Sequence, residues 1–200
     1  ITAFTGSSYT FTNVKLAHSI NITFKPQTYL ITVTQTVGGT ISPATLMANS
    51  GQSQTFTISP AAGYQITAIT VDGIPVIVTA ATGQSQTHSF TNITAAHSLT
   101  ANIAVIPPPI ITEHPQNVTK EVGDTHTFGV SVTSATTPTY QWQKNNQNLI
   151  GATAANYQTP TLSLADTGAT YRVVVTNAGG VATSNQATLT VTQTPVTTFT

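Results

Sequence analysis

Few side chains here can carry charge, bind metal or move a proton. The acids are Asp72, Glu113, Glu121, Asp124 and Asp166, and the histidines are His18, His88, His97, His114 and His126. Glycoside hydrolysis needs two carboxylates on one site, yet Asp72 belongs to an Asp-Gly turn and Asp166 to a corner ahead of a strand. Glu121 and Asp124 share a turn and are the best pair for a weak Ca²⁺ site, an ion that wants several oxygens; the turn alone explains them as well. His18 and His97 hold equivalent places in a repeat, flanked by Ala and Ser, so each is expected to shape a turn before a strand. His88, His114 and His126 are scattered and read as surface residues. No Ser/His/Asp constellation is legible, and Gly38-Gly39 is followed by neither Lys nor a helix, as a phosphate loop would require. The expectation is a protein that is not an enzyme, with no catalytic, cofactor-binding or metal residues and no cofactor.

Two other kinds of site have their residue types in the chain. Asn21-Ile-Thr23, Asn92-Ile-Thr94 and Asn117-Val-Thr119 are glycosylation sequons, and Asn117, close to a linker, is the most accessible of them. A sugar-binding platform needs flat exposed rings. Tyr64, Tyr140 and Tyr157 are its only candidates, and packing within the strands accounts for each.

Composition narrows the partners. Charged residues make up 5% of the 200 residues, and the net charge is +0. Five Lys and Arg in all cannot neutralise a run of phosphates, which excludes nucleic acid and an anionic membrane surface as partners. A polar surface with so little charge has little self-repulsion and suits association. Cysteine is absent, so disulfides, thiolate zinc sites and covalent haem are excluded. No apolar run is long enough to span a bilayer.

The elements that must position these residues are strands. No segment shows a helical period, whereas Val, Ile, Thr and Tyr alternate with polar residues in many short runs, and the fold class is all-β. Phe11-Thr-Asn13-Val-Lys-Leu-Ala17-His18-Ser19-Ile20 repeats as Phe90-Thr-Asn92-Ile-Thr-Ala-Ala96-His97-Ser98-Leu99 at a constant offset of 79 residues, which marks an internal repeat. Residues 29–105 form the complete copy. Its strands are expected over 29–33, 53–58, 64–71, 75–78, 88–91 and 98–103, with Asp72-Gly73 as a tight turn and residues 38–43 as another turn. Residues 1–25 carry only the last strands of a copy, over 9–13 and 19–24. Ile106-Pro107-Pro108-Pro109 is a stiff linker that sets the modules end to end. The pattern Gly-Gly-x-Ile-Ser-Pro, Gln-Thr-Phe-Thr-Ile, Pro-x-x-Gly-Tyr, Val-Asp-Gly and Phe-Thr-Asn-Ile-x-x-x-His-Ser resembles the divergent internalin-type B repeats. That resemblance implies small β modules strung along cell-surface and secreted proteins, without catalysis.

Residues 110–192 carry a second pattern. Tyr140-Gln-Trp142-Gln alternates, as does Thr125-His-Thr-Phe128-Gly-Val130-Ser-Val132, and Asp166-Thr-Gly168-Ala-Thr-Tyr171-Arg-Val173 follows. Asn145-Asn146 or Asn146-Gln147 turns one hairpin and Asn177-Ala-Gly179-Gly180 another. The set resembles the bacterial immunoglobulin-like domains found in tandem in large surface proteins, over about residues 109–192. The resemblance implies that Val130 and Val173 stand where two cysteines would be joined, with Trp142 packed against them as a core pin. It also implies that Tyr171 is a corner tyrosine, ring buried and hydroxyl bonded to backbone, beside Asp166. Two departures are plain: both cysteines are missing, and the corner is one residue longer than usual.

Taken together, the chain reads as tandem small β modules, the C-terminal one an immunoglobulin-like sandwich without a disulfide. Its segments are 1–25 (the end of a repeat), 29–105 (a whole repeat), 106–109 (linker), 110–192 (sandwich) and 193–200 (linker or donated strand). The expected role is non-enzymatic, extracellular and at the cell surface: a repeating segment of a surface fibre, sheath, stalk or adhesin, polymerising by β-strand complementation. Its partners would be other copies head to tail, or neighbouring domains of a longer chain, with glycans as a further class. The alternative is a carbohydrate-binding or spacer module of a large secreted enzyme.

Overall fold

Alternating apolar residues in short runs leave each strand with one face to bury, and two facing sheets are the economical solution. The computed structural model describes residues 12–17, 19 and 23–193. In it the strands fall into two sets, each with its own core. The first set is β1 (Thr28–Thr34), β2 (Gly39–Ser42), β3 (Leu46–Asn49), β4 (Gln54–Pro60), β5 (Tyr64–Val71), β6 (Ile74–Val76), β7 (Gln86–Phe90) and β8 (His97–Val105). One sheet runs β3-β1-β8-β5-β6 and the other β2-β4-β7. Strand β8 is central, parallel to β1 and antiparallel to β5. Ile31, Val33, Leu99 and Ala101 from one sheet meet Ile41, Phe56, Ile58 and Phe90 from the other. Phe56 and Phe90 pack edge to face, 5.9 Å between centroids, a favoured aromatic geometry.

The turns follow local chemistry. Asp72 and Gly73 adopt φ of 51° and 80° between paired Val71 and Ile74, the two positive values that a tight two-residue hairpin needs. The turn expected over residues 38–43 is corrected: from Gly39 the chain is already strand β2, paired with β4. Gly39 allows the close approach, since a Cβ there would lie 2.6 Å from the Ser59 carbonyl, and Ile41 supplies the buried side chain.

The second set is β9 (Ile110–Glu113), β10 (Val118–Glu121), β11 (Thr127–Gly129), β12 (Ser131–Thr133), β13 (Thr139–Lys144), β14 (Gln147–Asn148), β15 (Asn156–Gln158), β16 (Thr170–Asn177), β17 (Gly180–Thr183) and β18 (Ala187–Thr192). One sheet is β10-β18-β16-β13-β14, with β17 also on β16; facing it are the pairs β11-β15 and β12-β9. Strand β16 reads alternately half-buried and buried along its whole length, the pattern of a strand with one face in a core. Asn145 and Asn146, both at positive φ, turn β13 into β14. A single 3-10 turn at Leu164–Asp166 is the only helical element among the described residues.

The strands expected over 9–13 and 19–24 lie mostly outside the described residues; Thr12, Asn13, Ser19, Thr23 and Phe24 are described and are not in strands. The repeat shows at its turn instead. Asn13 and Asn92 share a left-handed φ of 55° and 49°, and the backbone bends at Asn13 and Leu16 as it does at Asn92 and Ala95.

Candidate functional site

The second core is aromatic. Trp142 is fully buried, stands across from Val173 in the β13–β16 ladder, and donates its indole N–H to the Ala154 carbonyl at 3.0 Å. A buried indole needs such a partner. Phe128 stacks on Tyr171 at 4.6 Å and lies 6.2 Å from Trp142, and Tyr157 closes the group against both Trp142 and Tyr171. The pin therefore differs from the expected one in one member. Val130 packs at the rim, half-buried, while Phe128 fills the centre. The reason lies in the strand. Val130 falls at the break between β11, which pairs with β15, and β12, which pairs with β9.

Asp166 is held by three hydrogen bonds. Its Oδ1 accepts from Lys144 Nζ at 2.7 Å, and its Oδ2 accepts from the backbone N–H and hydroxyl of Ser163. The Lys144 bond, then those from Ser163, lower its pKa from 3.8 to about 2. The same bond raises that of Lys144. The corner differs from expectation here. Among the described residues no backbone group pairs with the Tyr171 hydroxyl; Lys144 Nζ lies 5.9 Å from the Tyr171 ring centroid instead. Burial pushes the Tyr171 phenol up, with Lys144 opposing. The corner is thus tied by Lys144–Asp166 from β13 to the 3-10 turn, and Lys144 reaches it because it stands opposite Tyr171 in the ladder.

The first module ties a turn in the same way, by a pair that stands 25 residues apart in sequence. His97 Nδ1 meets Asp72 Oδ2 at 2.7 Å, and Asp72 Oδ1 accepts from the Ser98 N–H at 2.6 Å. Burial pushes the Asp72 carboxyl up, but the bonds from His97 and Ser98 outweigh it and hold it below its usual value. The His97 ring stacks on Phe90 at 4.5 Å, and His88 meets Phe90 edge-on at 4.9 Å. Burial, against the attraction of Asp72, lowers the His88 pKa. The signal that could have joined the pair is an Asp-Gly turn whose next strand but two opens on His-Ser. An Asp, a His and a Ser meet, but Ser98 bonds the carboxylate, not the imidazole. The group fastens the β5–β6 hairpin to the start of β8.

The remaining candidates stand apart. Asp124 turns back to accept from the Glu121 N–H, and among the described residues no three His, Asp or Glu side chains gather as metal ligands would. Glu113 bonds the Ser131 hydroxyl at 2.5 Å, and His114 Nδ1 accepts from the Asn185 N–H. His126 packs on Phe128, and burial and Lys120 lower its pKa. An open, polar cleft of about 670 Å³ is lined by Glu113, His114, Gln116, Ser131 and Asn156 among others. It exists because β9 ends at Glu113 and Pro115, which lacks an N–H, cannot continue the pairing. Tyr64, Tyr140 and Tyr157 are all half-buried, the last two packed on the core. Asn92 and Asn117 are exposed, though Asn117 Oδ1 accepts from the Thr188 N–H. Asn21 and His18 lie outside the described residues.

These cores and turn locks define the class: an all-β chain of tandem small modules, the second an immunoglobulin-like sandwich without cysteine. Residues 108–177 match the family model of the immunoglobulin domain. Among solved structures, the chain is similar to the tandem immunoglobulin repeats of Dlar at 18% identity, covering 72% of this chain and 91% of that one, with a TM-score of 0.40. Titin M4 matches at 28% identity over 44% of this chain and all (100%) of that one, TM-score 0.40. The I9–I11 tandem of titin matches at 15% identity over 84% of this chain and 66% of that one, TM-score 0.39. No curated protein matches the chain.

Proposed function

We propose that the chain is a non-enzymatic extracellular building block, a repeating segment of a bacterial surface fibre, stalk or adhesin in which an internalin-type B repeat precedes the immunoglobulin-like domain. In this reading its segments are modules of an array, and the tail of a repeat at residues 1–25 is completed by a module of the same kind, from a neighbouring copy or another part of a longer polypeptide.

The observation that carries the reading is a contrast between the repeat copies. Ile93 is fully buried, and its backbone bonds to Gln52 and Gly51 lock it into the first core. Val14, its equivalent, keeps the same turn but is 59% exposed, and Phe24 is 86% exposed where its counterpart Ile103 packs on the core. Apolar side chains set by such a turn gain by burial under a second sheet. A contact that joins the tail of one copy to the body of another is head to tail and propagates.

Sedimentation velocity and electron microscopy test this on the full chain and on a chain lacking residues 1–25. Polymers from the former and folded monomers from the latter are expected. A monomeric full chain, or fibres from the shortened one, would overturn the polymer.

A further inference from the structure

Between the two cores runs a segment that belongs to neither. Ile106 is 1% exposed, its N–H donates to the Gly63 carbonyl at 2.7 Å, and its side chain reaches the turn at Gly83. It is anchored to the first module. The next residues, Pro107-Pro108-Pro109, have no N–H to offer, so they can join hydrogen bonds only through their carbonyls. A hydrogen bond to them needs a donor.

That donor comes from 70 residues away. Asn177, at the end of β16, is 9% exposed and donates through Nδ2 to the Pro107 carbonyl and to Ser134 Oγ, both at 2.9 Å. Its Oδ1 accepts from the N–H groups of Gly179 and Gly180 at 2.8 and 3.0 Å. One side chain thus shapes the β16–β17 turn and seizes the linker. The glycines serve the same fit. A Cβ on Gly179 would run into the Ile106 carbonyl, and one on Gly180 would lie 3.3 Å from Pro108 Cβ. On the far side, Gly63 of the first module comes close to the Ala178 carbonyl, 3.6 Å from where its own Cβ would be.

We propose that the Asn177-Ala-Gly-Gly180 turn is a clasp that docks the Ile106–Pro108 linker, so that the two modules move as one body with a fixed angle between them. The stiff proline run supplies the rod and Asn177 the fastening at its end. Without Asn177 the same prolines would pivot at Pro107. The clasp goes beyond the polymer and holds whether or not the chain polymerises.

The test uses Asn177→Asp in the full chain. Aspartate keeps the oxygen that accepts from Gly179 and Gly180, so the turn survives, but it presents an acceptor to the Pro107 carbonyl in place of a donor. Backbone ¹⁵N relaxation reads rotational correlation times separately for 28–105 and 110–192. In the parent chain the two modules are expected to share one value. In Asn177→Asp that shared value is lost, and each module's falls toward that of a free module, with Trp142 fluorescence unchanged. Gly179→Ala, which displaces the linker sterically, should reproduce the loss and stands in if the aspartate variant unfolds. Independent tumbling in the parent, or shared tumbling retained in a folded variant, overturns the clasp.

Discussion

The two modules solve one problem with different materials. The first core is mostly aliphatic, dominated by isoleucines with a single Phe56–Phe90 contact; the second is a stack of Phe128, Trp142, Tyr157 and Tyr171. Each also uses one aspartate to tie a turn to a strand. In the first, the tie is to an imidazole, at side-chain exposures of 24% for His97 and 40% for Asp72. In the second, it is to an ammonium, at 33% for Lys144 and 23% for Asp166. With only 5% charged residues, the chain places both ion pairs of its described residues where a turn must be held. How firmly each pair holds depends on its burial.

The widest break between the modules is in the cores. Trp142→Ala should cost roughly 3–5 kcal/mol and Phe56→Ala a similar amount, each in its own module. Calorimetry should show one transition moving in each variant while the other stays. A single transition shifting in both would mean that the cores are not independent.

Next comes the Lys144–Asp166 tie. The folded pKa of Asp166 is lowered from 3.8 to about 2, so its stabilisation is complete above about pH 4 and is lost as pH falls toward 2. Allowing for partial exposure, that is on the order of 1–2 kcal/mol. Urea unfolding read by Trp142 fluorescence should weaken across that window. Asp166→Asn should start weaker and lose this part of the slope, and an unchanged slope would remove the pair from the account.

The smallest effect is expected at Asp72. Exposed pairs contribute below about 1 kcal/mol, so Asp72→Asn should barely move the first module's transition. Its mark is local: faster amide exchange at Ser98, whose N–H loses a charged acceptor. Exchange at Ser98 as slow as in the parent would show the tie to be incidental.

Much of the fold can be read from alternation. Tyr64 to Val71 and Ala187 to Val191 show their faces directly, and Asp72-Gly73 and Asn145-Asn146 show their turns, because these signals are local. What alternation cannot supply is neighbours. Strands β2 and β3 are four residues each, and the glycines of 38–39 with Pro43 resemble a turn until Ser59 is known to lie alongside. Phe128 and Val130 share a face in sequence, and only the break in pairing at Val130 decides which reaches the centre. Asp72 and His97 stand 25 residues apart and meet only because β8 lies beside β5. Lys144 looks like a strand-end surface residue until its register against Tyr171 brings it to the corner.

One feature of both modules bears on tension. In the first, the entering strand β1 runs parallel to the departing strand β8, from Ile31 opposite His97 to Thr34 opposite Thr100. In the second, β10 runs parallel to β18, from Val118 opposite Leu189 to Glu121 opposite Thr192. Pulling the chain from its two ends drags the strands of such a pair in opposite directions along their length. The hydrogen bonds of the ladder then resist together in shear and do not open one after another like a zip. Each module would meet a stretching force with a whole rank of bonds at once, so force-induced unfolding, governed by the unfolding barrier, is expected to be slow when a module is pulled from its two ends.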